Sequence, residues 1–210
     1  MSSQSHTSFS VSFASLVRPT ITLLLVMTVI TGMIYPALTT GIARAVFPSQ
    51  ARGSVITLNG RDMGSRLVGQ SFTDSAHLHG RPSATSAHPY DARSSAGSNL
   101  GPSSAILDSL VRERVTTVRA LEGLSATTPV PGDLVLASGS GLDPHISPAA
   151  AELQVARLAR VRGISADSVR RIIARATSNR LAGMVGEPRV NVLFVNLMLD
   201  GASLQQLGAF

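Results

Sequence analysis

From Pro19 to Ala43 the chain carries no charged residue, and Arg18 and Arg44 bracket the stretch. Ile21, Leu23, Leu24, Leu25, Val26, Met27, Val29, Ile30, Met33 and Ile34 fill it, with threonines between them. A bilayer core needs about 20 apolar residues in a helix, and this run meets that length. Threonine is tolerated there because its hydroxyl bonds back to a carbonyl of its own helix. Tyr35 and Pro36 lie near one end, where an interfacial aromatic and a kink both fit. Ala43-Arg44-Ala45 offers the small residues of a signal cleavage site, but a signal core is about 7–15 residues long behind a basic segment. Only Arg18 precedes this longer run, so the reading is a retained anchor. Thr28 and Gly32 form one small-xxx-small pair, the spacing at which a second membrane helix packs closely. Arg44, Arg52 and Arg61 follow the run and favour a cytoplasmic domain by charge count. That count weakens for long domains and leaves the orientation open.

The 210 residues include no cysteine and no lysine, and the net charge is +6. Disulfides and thiolate metal sites are excluded. So are functions that need a lysine in this chain: a phosphate-binding P-loop, a kinase strand lysine and a Schiff-base nucleophile. The arginines are scattered and give no nucleic-acid footprint. Their densest group, Arg157, Arg160, Arg162, Arg170, Arg171 and Arg175, reads as a solvated basic face on two helices.

After the anchor, Val55, Thr57 and Leu58 suggest a strand ending at the turn dipeptide Asn59-Gly60, with a second strand within Gly64–Gly69, which includes Leu67 and Val68. A long loop from Ser71 to Pro102 follows; loops of this length are functional or disordered. Ser103 or Ser104 caps a helix with an apolar stripe of Leu107, Leu110, Val111, Val118 and Leu121, which Gly123 ends. Leu134–Ala137 reads as a short buried strand. Ser147 with Pro148 opens a helix that stops at Gly163, and Ser165 opens another. Val190–Leu199 reads as a central strand, apolar on both faces. Ala202–Leu207 suggests a final short helix. The expected architecture is an α+β domain over 45–210, behind a tail over 1–18 and an anchor over 19–43.

Between Ala137 and the Ser147 cap lies Ser138-Gly139-Ser140-Gly141-Leu142-Asp143-Pro144-His145. Small residues let a ligand or another backbone come close, and a helix N-terminus suits an anion; a tight turn explains the glycines equally well. Ser140, Asp143 and His145 fail as a hydrolase triad. Ser138 and Leu142 stand where a nucleophile elbow needs glycines, and triads draw on separated segments. His77, His79 and His88 are too few without acidic partners to make a metal site and read as solvated loop histidines. Arg81 and Asp91 lie in the same loop and are placed to pair or to meet a partner. Gln154 interrupts an apolar run beside Arg157, as a buried hydrogen-bonding residue or an interface contact.

Six segments in order resemble the C chain of the Kdp-type potassium-transporting ATPase: Gly69–Phe72, Gly80–Ala84, Ser98–Ser103, Ala137–Pro148, Gln154-Val155 with Arg157, and Gly186–Val192. Two positions depart from the family pattern. His77-Leu78-His79 stands where an aromatic pair is frequent, and Leu136 where a threonine is common. The resemblance implies a subunit without catalysis of its own, in a bacterial inner membrane, with its domain on the periplasmic side. It implies two partners, a channel-like potassium-binding subunit (the KdpA type) and a P-type ATPase subunit (the KdpB type). It also implies a role as catalytic chaperone that raises the ATP affinity of the ATPase subunit, with ATP as the shared nucleotide and potassium as the ion carried by the complex. On that reading Ser138, Gly139, Ser140, Gly141, Asp143, His145 and Gln154 are nucleotide or partner contacts, Arg81 and Asn99 partner contacts, and Thr28 and Gly32 membrane-packing residues. A tethered serine hydrolase or an extracytoplasmic binding module for a small anion is the alternative.

Overall fold

The apolar run is helical throughout. The structure is a computed structural model that describes residues 12–180 and 184–207; residues 1–11 of the expected tail lie outside them. Helix α1 (Phe13–Val29) passes through a π-helical turn at Ile30–Ile34 into α2 (Tyr35–Val46), and the short α3 (Pro48–Ala51) follows. The continuous helix Phe13–Val46 has 34 residues, about 50 Å at 1.5 Å per residue, so it exceeds a hydrocarbon core of about 30 Å. Its threonines bond back as expected: Thr20, Thr31 and Thr39 donate to the carbonyls of Leu16, Met27 and Tyr35. The π turn has a local cause. Pro36 has no N–H to donate into the helix, and just before it the Tyr35 N–H reaches back five residues to Ile30 O.

The remainder, from Gly53 on, forms a separate unit. Strands β1 (Val55–Leu58) and β2 (Arg61–Ser65) pair antiparallel. Asn59 and Gly60 both have positive φ, 52° and 77°, as the primed two-residue turn requires. That turn starts the second strand directly after Gly60, earlier than the expected Gly64–Gly69, of which only Gly64 and Ser65 are strand and Leu67-Val68 lie in a turn. Helix α4 (Ala105–Glu122) begins where Ser104 Oγ accepts the Leu107 N–H and ends at Gly123 with φ 67°.

The expected strand over Leu134–Ala137 is absent. Gly132–Leu134 makes one 3₁₀ turn, and the N–H groups of Val135 and Leu136 are taken by Gly132 O. Next come β3 (His145–Ile146), α5 (Pro148–Leu153), α6 (Val155–Arg162), α7 (Ala166–Arg175), β4 (Thr177–Ser178), β5 (Arg189–Asn191) and α8 (Val192–Leu199). The helix expected between Ser147 and Gly163 is therefore two, divided at Gln154. Among the described strands the second sheet has the order β3-β5-β4, antiparallel throughout. Val190 is central in it as expected, but only Arg189–Asn191 is strand. Asn191 Oδ1 accepts the Phe194 N–H and turns the rest of the apolar run into α8. Residues Val192 to Leu197 are all buried, so this helix has no polar face to betray its period. Ala202–Leu207 forms turns and no helix. The core gathers Leu78, Val155, Leu158, Val169, Val190 and Val195, each 2 % exposed or less. Helices and a small antiparallel sheet share that core, which is the α+β class.

Candidate functional site

Residues 69–104 contain no helix or strand, yet side chains order them. Leu78 donates its N–H to Asn196 Oδ1 at 2.7 Å, and Asn196 Nδ2 donates to Leu78 O at 3.0 Å. Gln154 does the same for the next residue, accepting from His79 N–H at 2.8 Å and donating to His79 O at 3.1 Å. Two amide side chains thus replace a neighbouring strand. Arg157 adds bonds to Ser75 O and His77 O, an ion pair with Glu122 Oε1 at 2.8 Å, and a bond to Gln154 Oε1. Arg157 is 1 % exposed, so it is not part of a solvated basic face. Burial pushes the Glu122 carboxyl up, against the pull of Arg157, and its Oε2 has no partner among the described residues. Of the two roles left open for Gln154, the structure shows the buried one.

The ordered loop in turn wraps the Ser138–His145 segment. Gly69 and Ala96 donate N–H groups to Leu142 O and Ser140 O, and the Ser83 hydroxyl donates to Gly141 O at 2.7 Å. The small residues therefore serve close approach of another backbone, as one of the two readings held. A Cβ on Gly141 would lie 2.6 Å from Ala96 O, and its φ of +67° is left-handed. Gly141→Ala is expected to destabilise the domain by about 1–3 kcal/mol, read as a lowered denaturant midpoint at unchanged slope.

Asp143 is the hub of the segment. Its Oδ1 accepts the His145 N–H at 3.0 Å and faces His145 Nδ1 at 3.3 Å, while Arg81 Nη1 reaches Oδ2 at 3.4 Å. Burial raises the Asp143 carboxyl, but His145 and Arg81 outweigh it and hold it below the usual carboxylate value. Arg81 therefore pairs with Asp143 and not with Asp91, which takes Arg93 instead. The other Arg81 contacts, to Leu136 O and Ala137 O, are long at 3.5 and 3.4 Å, and its buried Nε has no partner among the described residues. Tyr90 donates its hydroxyl to Arg81 O and is pushed up to about 12 by burial and the Asp143 charge.

A cleft of about 390 Å³ opens here, lined by Arg81, Asp133, Asp143, His145, Glu187 and Arg189 among others. Asp133 is committed to the N–H and hydroxyl of Ser147, and Glu187 to Arg180. Ser140 Oγ accepts the Leu142 N–H in a local turn, while the His145 ring faces Asp143. Ser138 is buried and Asn99 exposed with φ 53°. Thr28 and Gly32 are exposed on the N-terminal helix. The histidines do not gather. His77 lies between Asp74 and Asp200, His79 Nε2 meets Asp74 O, and His88 faces Asp91. His77 and His79 are accordingly packed groups and not solvated ones. Among the described residues no cluster of three or more His, Cys, Asp or Glu is arranged for a metal. Sequence reasoning did not single out Glu122, Asn196, Arg189 or Tyr90. Asn196, polar within an apolar run, carries the one signal that would have found it.

Residues 17–201 match the family model described as K+-transporting ATPase, c chain. A potassium-transporting ATPase KdpC subunit of Sorangium cellulosum is 57% identical over 185 residues, covering 88% of this chain and 97% of that protein. Its counterpart in Rhodopseudomonas palustris is 52% identical over 198 residues, covering 89% and 97%. One from Polaromonas naphthalenivorans is 50% identical over 186 residues, covering 89% and 94%. With the match spanning both the apolar helix and the loop-wrapped domain, the chain belongs to the KdpC family, the c chain of the K+-transporting ATPase.

Proposed function

We propose that the chain is a non-catalytic accessory subunit of a potassium-importing ATPase in a bacterial inner membrane, and that it raises the ATP affinity of the P-type ATPase subunit. Its partners are that subunit and a channel-like potassium-binding subunit, met by the apolar helix, at Thr28 and Gly32, and by the domain around Arg81 and Asn99. The observation that supports this is the unsaturated guanidinium of Arg81 in the cleft of the Ser138–His145 segment. Its contacts to Asp143, Leu136 O and Ala137 O are long, at 3.4, 3.5 and 3.4 Å, which leaves its terminal N–H groups able to take a stronger acceptor. Gln154 supports the loop from inside the core and takes no part as a direct contact. A periplasmic domain would act on ATP affinity through its contacts with the partner subunits.

The test is the apparent ATP affinity of potassium-stimulated hydrolysis in the assembled complex. Arg81→Ala and Asp143→Asn are each expected to weaken it about fivefold or more, with the maximal rate at saturating ATP retained. Unchanged affinity in both variants would remove the chaperone role from this cleft.

A further inference from the structure

His77 sits between two carboxylates. Its Nδ1 is 2.6 Å from Asp74 Oδ2, and its Nε2 is 3.1 Å from Asp200 Oδ2. Both contacts are hydrogen bonds only if both ring nitrogens carry protons, because a carboxylate can only accept and a neutral imidazole has a single N–H. Asp74 belongs to the long loop, four residues before the Leu78 that Asn196 clamps; Asp200 follows α8 directly. The two segments are therefore joined across one ring.

We propose that His77 is a proton-operated latch: as an imidazolium it ties the long loop to the turns after α8, and as a neutral ring it releases Asp200. The shorter Asp74 bond keeps the remaining proton on Nδ1. The Nε2 lone pair then faces a carboxylate oxygen and repels it. Asp200 is left with Arg162 Nη1 at 2.8 Å from its other oxygen.

The charged and titratable groups that face the ring or its segment among the described residues come from several elements. Asp74 and His79 come from its own segment, Arg157 and Arg162 from α6, Asp200 from beyond α8, and Glu122 of α4 stands behind Arg157. His79 Nε2 meets a backbone carbonyl, and burial lowers its pKa, so this neighbour gives up its proton at lower pH than His77 does. For His77 burial opposes the charge, but the hydrogen bonds and charges of Asp74 and Asp200 outweigh it and raise its pKa above 6.5. A raised histidine contributes its full stabilisation below 6.5 and loses it as pH rises through the folded value. Asp74, chiefly through its hydrogen bond to His77, is lowered from 3.8. Asp200 is lowered too, since His77 and Arg162 overcome its burial. Those contributions disappear only as pH falls through values below 3.8. The latch is closed between these limits and opens above 6.5. Asp200 also walls a groove of about 530 Å³ against Asn59 and Arg61 of the hairpin, so opening changes the charge and the shape of that groove.

The test is amide hydrogen exchange on the full-length chain in detergent micelles, from about pH 5.5 to about pH 8, across the titration range of histidine. With intrinsic exchange divided out, protection of residues 75–79 and 201–207 is expected to fall with rising pH, by up to about tenfold per pH unit for one linked proton. Amides of α6 are expected to stay flat. His77→Gln should abolish the pH dependence in both segments. Asp200→Asn, at a half-exposed side chain, should do the same after α8 and lower the His77 pKa read by NMR. Protection independent of pH in the unaltered chain, the same pH dependence in His77→Gln, or a His77 pKa unmoved by Asp200→Asn would each overturn the latch.

Discussion

Replacing Arg157 with alanine is expected to destabilise the domain by about 3–5 kcal/mol, the range for removing one partner of a buried ion pair. The substitution leaves Glu122, whose side chain is 2 % exposed, as a buried charge without its ion-pair partner or forced to take up a proton. It also strips Ser75 O and His77 O of the Arg157 donor and leaves Gln154 Oε1 with only the His79 N–H. Equilibrium denaturation of the full-length chain measures the loss. The companion variant Arg157→Met with Glu122→Leu removes both charges while keeping volume, and should recover a large part of it. A loss below about 1 kcal/mol for Arg157→Ala, the range of an exposed pair, would show that the pair is solvated in solution and that the loop is held by other means.

Asn196→Leu is expected to cost about 2–6 kcal/mol, because it orphans the buried N–H and the C=O of Leu78 together, at about 1–3 kcal/mol for each unsatisfied group. Leucine matches asparagine in shape, so packing changes little and the loss reports on the two hydrogen bonds. Hydrogen exchange separates this from a general weakening: residues 75–80 should open first, while α7 keeps its protection. Uniform loss of protection over the whole domain would instead mean that the clamp and the core melt as one unit.

Elements with local signals are legible in the sequence. Asn59-Gly60 dictates a hairpin; Ser104, Ser147 and Ser165 each accept an N–H at a helix start, and Gly123 and Gly163 take the left-handed conformation at helix ends. All of these act within a few residues. Val190–Leu199 is misread as strand because a run buried on every side has no period. The deciding residue is Asn191, whose side-chain cap is easily passed over inside an apolar stretch. Leu134–Ala137 has strand composition, but no strand lies beside it, and Gly132 O takes its N–H groups instead.

The site divides in the same way. That Ser138–His145 approaches another backbone closely is readable from its glycines. That Arg81 finds Asp143 and not Asp91 depends on contacts 62 residues apart, and no local rule selects between the two acids. Arg157 illustrates the limit most plainly. By spacing it belongs with Arg160 and Arg162, and only the arrival of Glu122 and two loop carbonyls makes its burial tolerable.

The amide clamps also impose an order in time. The bonds that fix residues 75–79 reach across 75 to 118 positions of chain, and their receptors exist only once α6 and α8 have docked. Closing so large a loop is entropically costly before the contacts that reward it are available. Residues 75–79 are thus expected to order last as the domain folds, and substitutions there to change the unfolding rate more than the folding rate.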